Sequence, residues 1–514
     1  MHPSIHAQKN PTKPAYIIAD TNETVTYGEL DIASNQGAHL FRSLGLNPGD
    51  HIALMMENNR HFFSIVWAAQ RAGIIFTAVS SHLKAEEVAY IVDNCDAKAF
   101  IISEKMQAVG NAVLSCLSKE LQGFMVNGQT NLFSSWEEAT KELPTTPIAN
   151  ECAGVHMLYS SGTTGRPKGI YPTWEDGRPI THMEPGMILL RDFFKLNENT
   201  VYLSPAPLYH AAPLIYNMLV MFQGGTSIIM EKFDAELNLQ LIEKYKVNIG
   251  QWVPIMFIRM LKLAESTRTK YDVSSLKCAI HAAAPCPQEI KQAMIDWWGP
   301  ILTEYYSSTE NAGVTLLSSE QWLSHPGSVG SPLGCIIHIL DEDGNELPTG
   351  EIGEVFFENP RSNFEYYKEP DKTRETRNEK GWMTVGDVGR LDSDGFLYLT
   401  DRKNFMIISG GVNIYPQEVE NLLVTHEQVA DVAVFGVPCE NFGEKVFAVV
   451  QAKVGSTLNK NEEAALSDEL IRWCKSQLSA VKTPKEIVFT EMLPRLDNGK
   501  LYKKKLRDEY LNRQ

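Results

Sequence analysis

Along the first 150 residues, apolar and polar positions alternate in blocks that switch between two periods. Ala15-Tyr16-Ile17-Ile18 is an apolar run of strand length, and Thr26-Tyr27-Gly28-Glu29-Leu30 opens a helix. That helix continues through Ala33, Leu40 and Phe41 until Gly45 and Pro48-Gly49 stop it. His51-Ile52-Ala53-Leu54-Met55 has the unbroken apolar character of a strand buried on both faces. A helix follows around Phe63-Ser64-Ile65-Val66-Trp67-Ala68-Ala69, and Gly73-Ile74-Ile75-Phe76 and Ala99-Phe100-Ile101-Ile102 repeat the strand pattern. Strands alternating with helices predict α/β layering on a mainly parallel sheet. Residues 185–300 continue that alternation.

Residues 335–400 read differently. Short apolar runs are separated by Asp343-Gly344, Thr349-Gly350 and Asp394-Gly395, which predicts a small antiparallel sheet or barrel. The last 110 residues mix helix and strand again and end basic, at Lys503-Lys504-Lys505. A polar cluster at Asp401–Asn404 joins two apolar runs and marks the predicted domain boundary, giving 1–401 and 402–514.

Composition changes this picture little. At 514 residues the chain exceeds what one core usually serves, so more than one domain is expected. The net charge of −16 disfavours a nucleic-acid-wrapping role, which needs a basic face, but leaves room for a locally basic nucleotide site. The 8 cysteines include no C-x-x-C pair, hence no zinc or thioredoxin-type signal, and reduced thiols fit a cytoplasmic protein. The N-terminus lacks the apolar core of a signal peptide, and no apolar run is long enough to span a membrane.

The chemistry centres on Tyr159-Ser160-Ser161-Gly162-Thr163-Thr164-Gly165-Arg166-Pro167-Lys168-Gly169. Glycines let the backbone approach a ligand, consecutive N–H groups form an anion nest, hydroxyls add donors, and Lys168 adds a point charge. The spacing is not that of a Walker A loop. A flexible Ser/Gly/Thr linker has similar composition. Against it stand the strand-like His156-Met157-Leu158-Tyr159 just before the run and the stiff Pro167-Lys168 within it.

This run closely resembles the phosphate-binding loop of the adenylate-forming (AMP-binding) enzymes, which include acyl-CoA synthetases, aryl-CoA ligases, firefly-type luciferases and peptide-synthetase adenylation domains. Further markers follow in family order, so the resemblance covers essentially the whole chain. It implies a large N-terminal domain of layered α/β subdomains with a small β-barrel-like subdomain, followed by a small mobile α+β domain. It also implies ATP, Mg²⁺ and coenzyme A as cofactors.

Residue by residue, the resemblance gives the phosphates to Ser160, Ser161, Gly162, Thr163, Thr164, Gly165 and Lys168. In Tyr305-Tyr306-Ser307-Ser308-Thr309-Glu310 it makes Tyr306 the adenine-stacking ring, Thr309 the α-phosphate contact and Glu310 the magnesium-associated acid. Ser307 replaces the family's usual Gly. Ala283, Ala284 and Pro285, between a strand at Cys278-Ala279-Ile280 and a helix opened by Pro287, match the segment along which adenine slides. Asp387 is implied to accept both ribose hydroxyls, with Val385 where Thr is common, and Arg402 to contact ribose. Asn404 falls at the pivot of the small domain, where Asp or Lys is usual. Gly410 and Gly411 would leave room for pantetheine. In Pro494-Arg495-Leu496-Asp497-Asn498-Gly499-Lys500 the catalytic lysine is Lys500, with Leu496 off-pattern.

The acyl pocket is read from Pro207-Leu208-Tyr209-His210, which matches the pocket mouth. His210 stands where amino-acid-activating relatives carry Asp, and so speaks against an amino-acid substrate. Trp252, Val253, Pro254 and Met256 are candidate walls, with Asn311-Ala312-Gly313 as a floor whose small residues suggest an elongated or bulky acyl group. The stretch Tyr171-Pro172-Thr173-Trp174-Glu175-Asp176-Gly177-Arg178-Pro179 is an insertion, either a lid or a surface excursion.

The expected activity is an acid–CoA ligase acting through an acyl-adenylate, with a medium- or long-chain fatty acid as first choice of substrate. Its partners would be small molecules, with no nucleic acid. A homodimer is compatible with the sequence, which does not reveal oligomeric state. An aryl-CoA ligase, loading of an acyl-carrier protein, and luciferase-like oxidation stay open. A non-catalytic binder would be expected to lack Lys500 or Glu310, and both are present.

Overall fold

A computed structural model describes the chain except residues 118–120, 161–165, 172–173, 363, 410–411, 440–441, 454–457, 496–500, 502 and 513–514. The chain forms two compact units: Met1–Trp252 with Leu263–Ala279 and Asn363–Glu375, and Val253–Lys262 with Ile280–Ser362 and Thr376–Gln514.

In the first unit, the apolar runs read from the sequence become a parallel sheet. His51–Met55 lies between Ile75–Val79 and Ala99–Ser103, and Gln122–Val126 continues the sheet beyond the latter. His51–Met55, Ile75–Val79 and Ala99–Ser103 are buried along their whole length, which is why they carry no polar alternation. A second sheet pairs Val201–Ser204 in parallel with Ile249–Trp252 and Thr226–Ile229, and Pro14–Ile18 extends it. The helix Tyr27–Ser43 starts at a capping box, in which Thr26 and Glu29 each accept from the other's backbone N–H.

In the second unit, Leu302–Ser307 pairs antiparallel with Val314–Ser318. Residues 335–400 form the expected small sheet: Ile336–Leu340, Gly353–Glu358, Asp387–Leu391 and Leu397–Arg402, all antiparallel. Gly344, Gly350 and Gly395 have positive φ at its turns, as the Asp-Gly and Thr-Gly pairs predict. C-terminal to it, the hairpin Val429–Cys439/Gly443–Ala452 carries Ile407–Ser409 and a parallel Glu486–Thr490.

Candidate functional site: a nucleotide-binding constellation

In the first unit, the strands on either side of the Ser/Gly/Thr run pair as an antiparallel hairpin. Leu158–Ser160 and Lys168–Tyr171 are its legs, with Ser160 opposite Lys168 and Tyr159 opposite Gly169. The apolar stretch read as one strand is two, Val155–His156 in the parallel sheet and Leu158–Ser160 in the hairpin. Gly169 is required by packing, since a Cβ there would lie 2.9 Å from the Tyr159 ring. The Lys168 ammonium sits 4.6 Å from the centroid of the Tyr366 ring. Ser161, Gly162, Thr163, Thr164 and Gly165 lie outside the described residues, as do Gly410, Gly411 and Lys500.

His210 caps the helix Ala211–Phe222 of the same unit, its N–H closing a turn onto the Pro207 carbonyl at 3.2 Å. The inserted stretch packs on this unit's own body. The Trp174 indole donates to the Ala153 carbonyl (3.1 Å), Ala153 N–H donates to the Arg178 carbonyl (2.7 Å), and the Gln70 amide donates to the Ile180 carbonyl (3.1 Å). Trp252 is a core residue, 1% exposed, with its indole N–H donated to Asn238.

The second unit gathers the residues that the resemblance gives to adenosine. Asp387 and Arg402 are cross-strand partners, and Arg402 Nε lies 3.1 Å from Asp387 Oδ1. The Tyr306 hydroxyl donates to the other oxygen, Oδ2. Burial, then the Asp387 charge, pushes the Tyr306 phenol well above its usual range, so it stays a donor. Gly386 has φ +80°, and its carbonyl accepts from Lys403 N–H, which sets the turn before Asp387.

Beyond Tyr306 the chain makes a tight turn. The Ser307 hydroxyl donates to the Gly313 carbonyl (2.9 Å), and Asn311, at φ +53°, donates its N–H to Ser308. The off-pattern serine therefore ties the two ends of the loop that presents Thr309 and Glu310. Thr309 is exposed and Glu310 half-buried. Among the described residues no group of three His, Cys, Asp or Glu side chains could cage a metal ion. One carboxylate on an accessible turn suits Mg²⁺ that takes its other oxygens from phosphate and water. The floor reading at Gly313 changes: a Cβ there would meet the Phe357 ring at 2.0 Å, so its smallness serves packing under the Tyr306–Phe357 pair.

Ala283 and Pro285 are exposed on the loop between Cys278–His281 and Gln288–Trp298, with Ala284 partly so. Ala283 holds φ +74°, a conformation that costs an alanine roughly 1–2 kcal/mol. Behind this loop lies a cluster that the motif reading passed over: Lys291 Nζ is 2.6 Å from Glu304 Oε2, and both are buried. A signal for it was present, since Lys291 shares a helical stripe with Met294, Ile295 and Trp298 and so belongs to the buried face.

Asn404, at the expected pivot, sits exposed in the short 3₁₀ turn Lys403–Phe405, and its φ is not positive. Nearby, Asp401 accepts from Gln417 N–H at 3.0 Å. The chain on either side of residues 496–500 is anchored by two ion pairs: Arg495 with Asp431, and Lys503 with Glu420 at 2.8 Å.

Known proteins resemble this chain along its length. The AMP-binding enzyme family model matches residues 4–367, and the AMP-binding enzyme C-terminal domain matches 418–500. Long-chain-fatty-acid–CoA ligase FadD13 of Mycobacterium tuberculosis is 30% identical over 98% of this chain and 97% of its own. The fatty acid–[acyl-carrier-protein] ligase ScoC of Streptomyces coeruleorubidus is 28% identical over 99% and 95%. The crystal structure of ATP-bound MatB from Rhodopseudomonas palustris superposes with a TM-score of 0.80 at 25% identity, covering 99% of each chain. Among the described residues no helix is long and apolar enough to cross a membrane. Both family domains, matched in order, and a relative 30% identical along nearly the whole chain place this chain in the AMP-binding enzyme family, among its AMP-forming acid–CoA ligases.

Proposed function

We propose that the chain joins a medium- or long-chain, or similarly bulky, carboxylic acid to coenzyme A through an acyl-adenylate. The observation that carries this reading is the meeting of Tyr306, Asp387 and Arg402 in one hydrogen-bonded cluster. Its flat ring, buried carboxylate and cation have the chemistry of an adenosine site. The acid is supported by His210, which has no carboxylate to grip an α-ammonium, and by relatives whose names carry fatty acids.

In the first half-reaction a carboxylate oxygen of the acid bonds to the α-phosphorus of ATP as the bond to the bridging oxygen breaks, and pyrophosphate leaves. Positioning and charge stabilisation do most of this work. Tyr306 stacks on the base, Asp387 and Arg402 hold the ribose, and Thr309 with Ser160 and Lys168 orients the phosphates. Mg²⁺, when bound, neutralises phosphate charge, and Glu310 is the residue that would hold it. Lys500 offsets the charge that develops as the two anions approach. In the second half-reaction the coenzyme A thiol loses its proton and attacks the acyl carbon. The acyl C–O bond breaks and AMP leaves. Residues 402–514 swing between the two steps, withdrawing Lys500 and bringing Gly410-Gly411 to the thiol.

Pyrophosphate release from MgATP, measured across a panel of carboxylates with and without coenzyme A, tests this. Acid-dependent release that turns over fully only with coenzyme A is expected. Release indifferent to coenzyme A would move the acceptor to a carrier protein, the reaction named for ScoC. Failure with every acid would overturn the ligase.

A further inference from the structure

Three polar side chains from three successive elements meet in the interior behind the Ala283 loop. Lys291 stands at the first turn of Gln288–Trp298, its N–H bonded to the Pro287 carbonyl at 3.0 Å. Glu304 stands on the strand Leu302–Ser307, two residues before Tyr306, and His281 ends the strand Cys278–His281. Their exposures are 1%, 5% and 0%. One oxygen, Glu304 Oε2, is 2.6 Å from Lys291 Nζ and 3.8 Å from His281 Nε2. Neither ring nitrogen of His281 has a hydrogen-bond partner among the described residues, and Phe257 meets the ring edge-on at 5.6 Å. The Lys291 ammonium also lies 5.3 Å from the centroid of the Trp322 ring.

A buried pair of this kind is weak as a stabiliser. Desolvation offsets most of its attraction, and well-packed apolar replacements are often neutral or better. Its effect here is on position. The loop His281–Pro287 contains an alanine at φ +74°, and such strain persists only where the surroundings over-determine it. Glu304 touches both ends of that loop, His281 at the start and the helix turn bearing Lys291 at the finish. It also shares a strand face with Tyr306, since residues two apart point the same way.

We propose that Glu304, held by Lys291, is a positioning residue of the nucleotide site, locking the Ala283 loop to the strand that carries Tyr306. The proposal rests on the assignment of those two elements to ATP. It predicts that the pair sets nucleotide affinity while contributing little to stability.

The test is ATP binding by calorimetry without acid, alongside thermal unfolding and KM for the acid. The variants are the apolar double replacement Lys291→Met/Glu304→Leu and the polar isostere Lys291→Gln/Glu304→Gln, which keeps the proposal testable should the first fail to fold. We expect unfolding close to the parent protein, ATP bound about tenfold more weakly as the walls shift, and an unchanged KM for the acid. Glu304→Asp, which keeps the ion pair on a shorter arm, should recover part of the affinity. A merely structural role would lower the melting temperature and leave the affinity of the folded fraction alone. A parent protein that fails to bind ATP would overturn the nucleotide reading itself. A parent that binds, with variants of equal affinity, would overturn the positioning role alone.

Discussion

Asp387→Asn is the sharpest test of the proposed adenosine cluster. The substitution keeps shape and removes charge. Asp387 is 6% exposed, accepts the Tyr306 hydroxyl on one oxygen and faces Arg402 at 3.1 Å with the other. The Arg402 side chain is 40% exposed, so its ion pair contributes at most about 1 kcal/mol. Making the Tyr306 bond neutral costs about 1 kcal/mol more, the difference between charged and neutral hydrogen bonds. The fold should therefore lose only about 1–2 kcal/mol in total. The proposed ribose contact suffers more. A carboxylate accepts from both hydroxyls, whereas an amide offers one acceptor and turns an N–H₂ toward the other. Losing two charge-assisted bonds for one neutral one costs about 2–3 kcal/mol, or about 30- to 150-fold in ATP affinity. Calorimetry with ATP, 2′-deoxyATP and 3′-deoxyATP reads this directly. The parent protein should prefer ATP over both deoxy forms, and Asp387→Asn should largely erase that preference. An equal ATP-to-deoxyATP ratio in the two proteins would refute the ribose assignment, whatever happened to overall affinity.

Gly313→Ala should destabilise by about 1–3 kcal/mol through overpacking on Phe357, and Phe357→Leu in the same chain should restore part of it, measured by urea unfolding. Acid should weaken the fold early. Burial lowers His156 to about 4 and His281 well below its usual value, so the unfolded state takes up protons first as pH falls below 6.5. Stability present above that pH is then lost on acidification, by about 3 kcal/mol for His156 alone between pH 6.5 and 4, and His156→Leu should flatten that slope. Lys500→Ala should abolish adenylation from free acid while largely sparing thioester formation from supplied acyl-adenylate. Equal loss of both steps, followed by pyrophosphate and thioester assays, would remove the role given to Lys500.

What the sequence determined by itself is what neighbours along the chain decide. The Thr26/Glu29 cap, the unbroken apolar strands at His51 and Ala99, the Asp-Gly and Thr-Gly turns at Gly344, Gly350 and Gly395, and the Pro287 helix start all rest on residues within a few positions of one another. The motifs that carry the family resemblance are equally local, and so they too could be read. Tertiary structure decided the rest. Asp387 meets Tyr306 across 81 positions because two strands of different sheets end beside each other. Glu304 finds Lys291 because a strand and a helix pack face to face in the interior. Gly313 looked like room for an acyl chain until Phe357 filled its place, and Trp252 looked like a pocket wall until Asn238 claimed its indole. Small and apolar residues look alike in a sequence whether they line a cavity or a core. Only the atoms packed against them tell the two apart, and those atoms come from distant parts of the chain.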